Sequence, residues 1–159
     1  MSKRKFLSGI TACLLGLAIL PRARGEAGLD ELAPFLQVRS DKSMQQALSD
    51  LKAAIADNNY VYIREQSVDS RLTRPADENR NVVFVYFCNF GMLDRALKVD
   101  SRVGVFLPCR VTLIQRADGV DMIVLDPKLI SRQLNDGRLN DICDQLTQDY
   151  RKILEEASM

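Results

Sequence analysis

The stretch "VGVFLPCRVTLIQRADGVDMIVLD", residues 103–126, decides the fold of this 159-residue chain. Two apolar runs rich in β-branched residues flank the pair Asp118-Gly119, and such a pair between two such runs predicts a β-hairpin with a two-residue turn. A turn at these two residues places Arg116 opposite Asp121, where an ion pair across the strands fixes the register. The sequence therefore predicts an antiparallel hairpin.

Three stretches upstream of the hairpin predict further strands. "NVVFVYFC" (81–88) is apolar on both alternating faces, as is typical of a strand that is covered on both sides of a sheet. "YVYIREQ" (60–66) is rich in β-branched and aromatic residues, which strands favour. "FLQVRS" (35–40) is a candidate for a short strand within a loose segment, 26–42. The polar stretch 67–80 has no periodicity and predicts a loop.

Helices are predicted by capping residues and by apolar stripes. Ser43 begins a helix in capping-box spacing, and the apolar stripe of that helix ends at Asn58. Asn89 is suited to cap a short helix directly after the apolar strand. Two more helices are predicted over 127–134 and 139–157, and the second carries an apolar stripe along about five turns.

The order of these elements predicts an α+β fold, in which helices pack on a mostly antiparallel sheet. The sequence has no internal repeat, no low-complexity tract and no composition shift that marks a second domain. We therefore expect a single compact domain over residues 43–157, preceded by the loose segment.

The block from Val82 to Asp126 resembles the bacterial family 302 of domains of unknown function. That family has an apolar strand, a short helix rich in Leu and Ala, a segment ending in "FLPCR" and a hairpin around Asp-Gly. The matching pieces here are "VVFVYFCNF", "LDRAL", "SRVGVFLPCR" and "RADGV". The resemblance implies a compact α+β domain that is often dimeric, so a homodimer is one of the implied partners. The family has no established activity, and no catalytic residue is carried over.

The first 25 residues predict a cleaved export signal. They begin with basic residues, continue with an apolar stretch (6–20) and end with small residues around Gly25. The apolar stretch is shorter than the roughly 20 residues of a bilayer-spanning helix, so an N-terminal membrane anchor is the less favoured alternative. A lipoprotein processed at Cys13 is another. The sequence favours a periplasmic or secreted protein, exported by the general secretory or the twin-arginine route.

The charge of the processed chain argues against two classes of partner. Residues 1–25 carry five basic and no acidic side chains, which leaves 17 basic and 21 acidic residues and a net charge of −4. A mildly acidic domain without a basic run is not suited to nucleic acid or to an anionic membrane. After cleavage, we expect no nucleic-acid partner and no stable membrane association.

Missing residue types narrow the chemistry further. The chain contains no histidine, which excludes Ser-His-Asp and Cys-His catalysis and the commonest ligand for zinc and haem. It has no glycine-rich phosphate loop and no CxxC motif. We therefore expect no resident cofactor, and the sequence favours a protein that is not an enzyme.

Cys88 and Cys109 close or interrupt two apolar runs, and three interpretations of them stay open. They are two buried core residues, or a disulfide, or a thiol site with Asn89 and Arg110 beside them. The first turn of a helix capped by Asn89 would lower the pKa of Cys88 and favour its thiolate. Cys143 lies on the apolar stripe of the last helix, so we expect it to be buried and inert.

Two weaker candidate sites complete the prediction. Met92 would add a soft ligand if the two cysteines bound Cu(I), although a methionine at that spacing is more often a core residue. A group of arginines in or beside the polar loop would suit an anion, although a solvated loop is the simpler interpretation: Arg64, Arg71, Arg74 and Arg80.

These features predict a small exported binding or accessory protein for an unidentified small ligand or protein partner. The alternative is a thiol-dependent redox, sulfur-transfer or Cu(I)-binding protein that uses Cys88 and Cys109.

The export signal predicts a specific processed form. Protein isolated from its native host is expected to begin near Glu26 or Gly28, because cleavage follows the small residues around Gly25. Intact-mass analysis measures this directly. An intact Met1 in the membrane fraction would show that the N-terminal segment is an anchor.

Overall fold

A computed structural model describes residues 34–68 and 81–159, and its centre is a five-stranded antiparallel sheet. The predicted export signal, Cys13 and most of the polar loop lie outside the described residues. The strands pair in the order β1-β5-β4-β3-β2, and every neighbouring pair is antiparallel. Their bounds are β1 Phe35–Ser40, β2 Val61–Ser67, β3 Val82–Cys88, β4 Arg110–Arg116 and β5 Gly119–Leu125. The predicted α+β class is confirmed.

The described residues, 34–68 and 81–159, also form four α-helices and two 3₁₀ helices. The α-helices are α1 Met44–Asp57, α2 Phe90–Val99, α3 Lys128–Leu134 and α4 Asn140–Ser158, and the 3₁₀ helices are Ser101–Phe106 and Gly137–Leu139. No helix within 34–68 or 81–159 is long and apolar enough to cross a membrane. The predicted helices are all present, and the segment Ser101–Phe106 is a 3₁₀ helix that the sequence did not suggest.

The main core lies between one face of the sheet and the pair α1 and α4. Alternate residues of each strand point to one face, and on this face the sheet residues Leu36, Leu113 and Met122 are at most 1% exposed. The helices meet them with Leu51 and Leu154, both fully buried. Burying each such side chain stabilises the fold by about 1.5–3 kcal/mol, so this face holds the domain together.

Local capping sets the ends of α1 as the sequence predicts. The Ser43 hydroxyl accepts from the backbone N–H of Gln46, and the Gln46 side chain accepts from the backbone N–H of Ser43. Both bonds satisfy donors that the first helical turn leaves free. The helix ends at Asn58, and Asn59 takes a left-handed conformation with φ of 61°. Asparagine accepts that conformation more readily than most residues.

A second, smaller apolar cluster joins α2, α3, the first 3₁₀ helix and the first half of α4. Its buried residues include Ala96, Val103, Leu139 and Ile142, together with Cys143, which is 3% exposed. The predicted burial of Cys143 is confirmed. This cluster holds α2 against the end of the sheet, where the candidate site lies.

Two arginines fasten the outer side of this cluster reciprocally. The Arg102 guanidinium donates to the carbonyl of Leu134, at the end of α3, over 3.3 Å. The Arg138 guanidinium donates to the carbonyl of Val99, at the end of α2, over 3.4 Å. Each arginine also pairs with an aspartate two residues before it. Each therefore satisfies a carbonyl that the helix C-terminus leaves without a partner.

The apolar run before Pro108 is not part of the hairpin, which corrects the sequence prediction. Asp100 accepts from the backbone N–H of Arg102 and starts the 3₁₀ helix, and the cis bond between Leu107 and Pro108 follows. Pro108 has no N–H to donate to a ladder, and the ladder with β3 reaches only as far as Cys109, whose carbonyl accepts from the N–H of Phe87. Pro108 therefore lies at the end of the sheet, just before β4.

The hairpin turn lies one residue earlier than predicted. The turn residues are Ala117 and Asp118, Arg116 is paired with Gly119, and Asp121 is opposite Ile114. Arg116 still reaches Asp121 diagonally, with 2.6 Å between Nε and Oδ2. The predicted ion pair is confirmed, and the predicted register is wrong.

A long-range contact explains this shift. Gly119 has a φ of 144°, and a Cβ at this position would overlap the carbonyl oxygen of Ser40. The neighbouring strand β1 therefore requires a glycine at this position, whereas the turn itself does not.

The segment before residue 43 is more ordered than predicted. β1 pairs with β5 along its whole length, from Phe35 opposite Leu125 to Ser40 opposite Val120. Leu36 and Val38 are buried in the main core. The short strand is confirmed, and it belongs to the same sheet as the strands after residue 43.

The close approach at Gly119 predicts a large and local effect on stability. Gly119→Ala is expected to lower the free energy of unfolding by about 2–4 kcal/mol, because the new Cβ meets backbone and the φ is unfavourable. Gly104→Ala is the matched control, because no atom lies within 4 Å of its Cβ position. Urea unfolding measures both. Equal effects of the two substitutions would contradict the contact.

Candidate functional site

A cavity of about 380 Å³ lies at the end of the sheet, against the second apolar cluster. Two cysteines line its wall: Cys88 is the last residue of β3, and Cys109 directly precedes β4. The remaining wall is largely apolar and comes from α2, the first 3₁₀ helix, the end of β5, and residues of α3 and α4. Phe35 and Val105 stand on the rim, 46% and 82% exposed. A volume of about 300–1,000 Å³ with apolar walls and a few polar groups is typical of small-molecule sites.

Strand register keeps the two wall cysteines from forming a disulfide. The structure has Cys88, Cys109 and Cys143 as free thiols. The β3–β4 ladder continues past Tyr86 and Arg110, so Cys109 is opposite Phe87, whose N–H donates to its carbonyl over 3.2 Å. Cys88 is one residue further along, and successive residues of a strand point to opposite faces. The strands are neighbours as expected, but the disulfide interpretation is wrong for this register.

Burial makes both thiols weaker acids. It raises the pKa of Cys88 to about 11, and the nearby Cys109 adds a smaller effect. Burial also raises the pKa of Cys109, against the opposing effect of a hydrogen bond from the Tyr150 hydroxyl. The helix start beside Cys88 was expected to lower its pKa, but desolvation acts more strongly. Both thiols are therefore protonated at neutral pH, and neither is an activated nucleophile.

Asn89 has the capping role that the sequence predicts. Its side-chain oxygen accepts from the backbone N–H of Met92 over 3.0 Å, and both residues line the cavity. Met92 is also within 3.5 Å of a guanidinium nitrogen of Arg95, which donates to its sulfur. A cation at this distance weakens the case for Met92 as a ligand to Cu(I).

Arg110 lies at the cavity on the sheet face that points away from α1 and α4. Its side chain is exposed, and its guanidinium carbon is 5.1 Å from the centre of the Phe84 ring. Stacking on an aromatic ring holds a guanidinium in place without neutralising it. Arg110 therefore places a positive charge at the edge of the cavity.

The arginine group proposed for anions is divided by the structure. Arg64 is on β2, with its guanidinium 4.2 Å from the centre of the Tyr86 ring and a 2.7 Å hydrogen bond to Gln66. Arg71, Arg74 and Arg80 lie outside the described residues. The anion site at this group stays a prediction.

Two tyrosines that the sequence analysis did not single out line the cavity. Tyr60 and Tyr150 pack with Phe87, and the three ring centres are 5.1–6.0 Å apart. The Tyr60 hydroxyl donates to Asp149 over 2.8 Å. Tyr150 was assigned only to the apolar stripe of the last helix. The available signal was its hydroxyl, because a buried tyrosine needs a partner for that group.

Within 34–68 and 81–159, no three or more Cys, Asp or Glu side chains are grouped closely enough to hold a metal ion. The cavity wall offers two thiols and one thioether, so a soft metal is the kind of ion that it would suit.

The family model described as "Domain of unknown function DUF302" matches residues 36–157. The chain belongs to the DUF302 family. A crystal structure of an uncharacterized conserved DUF302 protein from Bacillus stearothermophilus has the same fold, with a TM-score of 0.70 at 19% identity. The match covers 78% of this chain and 98% of that one. No curated protein sequence matches the chain.

This DUF302 domain is expected to contain three slow thiols. In the full chain carrying Cys13→Ser, all three should titrate after denaturation without a reductant, because none is in a disulfide. In the native protein, alkylation of Cys88 should be slower than that of free cysteine at neutral pH. Its rate should rise as pH approaches about 11, because only the thiolate reacts.

The same shift has a consequence for stability. The pKa of Cys88 is raised above its ordinary 9.0, so the native state binds this proton more tightly than the unfolded state. The contribution of this proton to the free energy of unfolding is complete below pH 9 and is lost as the pH rises through about 11. Cys88→Ser removes the slow alkylation and is the control. Rapid labelling of Cys88 at neutral pH would contradict the burial.

Proposed function

We propose that this DUF302 protein is an exported small-molecule binding protein and that its ligand occupies the cavity at the end of the sheet. The observation that carries the proposal is a cavity of about 380 Å³ with largely apolar walls and exposed apolar residues on its rim. Apolar side chains in water at an opening are stabilised when an apolar ligand covers them.

The ionisation of the polar groups supports binding over catalysis. Burial raises the pKa of both wall cysteines and of Tyr150, so these groups are neutral at pH 7. A general base or a nucleophile needs a pKa near the working pH or an adjacent base, and the chain has no histidine to supply one. Neutral thiols and hydroxyls in an apolar wall instead provide weak, specific contacts to a bound molecule.

Export places this cavity in a setting where a binding protein is useful. The N-terminal sequence predicts delivery to the periplasm or beyond, and the ligand would therefore be met outside the cytoplasm. A homodimer, which the family resemblance implies, stays a prediction and is compatible with one cavity in each copy.

A thiol-dependent function is the second candidate, and one observation favours it. Cys88, Cys109 and Met92 all line the same cavity, and Cys109 is close enough to Cys88 to add to the rise in its pKa. A soft metal such as Cu(I) would have to displace both thiol protons and compete with Arg95 for the Met92 sulfur. These costs make it the weaker proposal.

Binding can be tested with a neutral fluorescent probe, 1-anilinonaphthalene, on the full chain. The probe is expected to bind in the cavity, and Leu93→Trp should weaken this binding about tenfold or more by filling the space. Leu97→Trp is the matched control, because Leu97 is equally half-buried on α2 but does not line the cavity. Its effect should stay below about twofold. Direct excitation of the probe avoids the signal of the new tryptophan.

Two outcomes would contradict the proposal. Absence of probe binding, or equal weakening by both variants, would show that the cavity is not the site. Tight stoichiometric binding of Cu(I) that is lost in both Cys88→Ser and Cys109→Ser, with no probe binding, would favour the thiol-dependent function.

A further inference from the structure

The cavity has an uneven charge. Among the described residues that line it, Arg110 is the only charged one, and none is an Asp, a Glu or a Lys. The chain as a whole has nearly equal numbers of acidic and basic residues, so a wall with one cation and no carboxylate differs from the average surface. A ligand that fills such a cavity meets apolar groups along its length and a positive charge at one end.

Within residues 34–68 and 81–159, no carboxylate neutralises the Arg110 guanidinium. Among the residues that the structure describes, its guanidinium has a ring contact with Phe84 and no ion pair. Four other arginines each pair with an aspartate: Arg39, Arg102, Arg116 and Arg138. An unneutralised guanidinium offers several donors arranged to bind a carboxylate or a similar oxyanion.

The surroundings of Arg110 add to the positive potential at the cavity wall. Asn89, which caps α2, lines the cavity, so the positive end of that helix dipole is at the same wall. The hydroxyls and thiols in the wall are neutral at pH 7 and do not cancel this field.

We propose that the cavity takes an amphipathic organic anion, with an apolar body inside and one anionic head group bound by Arg110. This inference rests on the proposed function and specifies the class of its ligand. The single cation fits one negative charge, such as a carboxylate or a sulfonate. The apolar wall is poorly suited to sugars and nucleotides, whose polar groups would be buried without partners.

A matched pair of probes separates this inference from the binding function itself. 1-Anilinonaphthalene and 1-anilinonaphthalene-8-sulfonate share one apolar body and differ by one anionic group. With the full chain, the sulfonate is expected to bind more tightly, and Arg110→Gln should weaken its binding about tenfold. Binding of the neutral probe should change by less than about twofold. Arg110→Lys keeps the charge and should restore part of the difference.

Arg64→Gln is the control for the loss of one surface charge. Arg64 also stacks on an aromatic ring of β3, but it does not line the cavity, so its loss should leave both probes unaffected. The advantage of the sulfonate should also shrink as salt is added, because screening weakens the pairing of exposed charges.

Each result has a distinct meaning. If neither probe binds, the binding function itself fails. If the neutral probe binds but Arg110→Gln weakens both probes equally, or neither, the cavity is a binding site and the anionic ligand class is wrong. A neutral probe that binds more tightly than the sulfonate would also overturn the inference.

Discussion

The candidate site depends on where the β3–β4 ladder ends. The ladder includes a backbone bond from Phe87 to Cys109 and stops at Pro108, which cannot donate. At that point the chain leaves the sheet after β3 and enters α2. It returns to the sheet at β4, after the 3₁₀ helix. Because these segments are held apart by the second apolar cluster, the end of the sheet is left with a cavity. The same ladder fixes which side chains can reach it.

Register also decides what the two cysteines can do. Two thiols in similar sequence settings invite a pairing, and only the strand offset shows that they project to opposite faces. Once they are separated, each is surrounded by apolar groups, and desolvation governs its acidity more strongly than the helix start does. The wall of the cavity is consequently neutral except at Arg110, and this contrast underlies both proposals.

Local signals in the sequence predicted the fold well, and nonlocal contacts account for the errors. The capping box at Ser43 and the stop at Asn59 are determined within a few residues, so sequence alone identifies them. Gly119 is different, because the carbonyl of Ser40, far away in the chain, requires the glycine there. The Asp-Gly pair therefore predicted the hairpin correctly and its turn one residue too late.

The site itself was predicted only in part. Cys88, Cys109, Asn89, Met92 and Arg110 do share a cavity, but Tyr60 and Tyr150 reach it through packing between elements that are distant in the sequence.

The reciprocal bonds of Arg102 and Arg138 have a consequence for which sequence changes the cavity of this protein would tolerate. Arg102, which follows α2, binds the end of α3, and Arg138, which follows α3, binds the end of α2. The short segments that carry these two arginines therefore set the distance between the C-terminal ends of the two helices. A residue inserted between Leu134 and Arg138 would rotate the second guanidinium away from Val99 and release the helix that carries Met92 and Ala96. Substitutions in these two segments are expected to preserve the shape of the cavity as long as both arginines are kept. Insertions and deletions would change that shape, so we expect these two segments to tolerate substitutions better than changes of length.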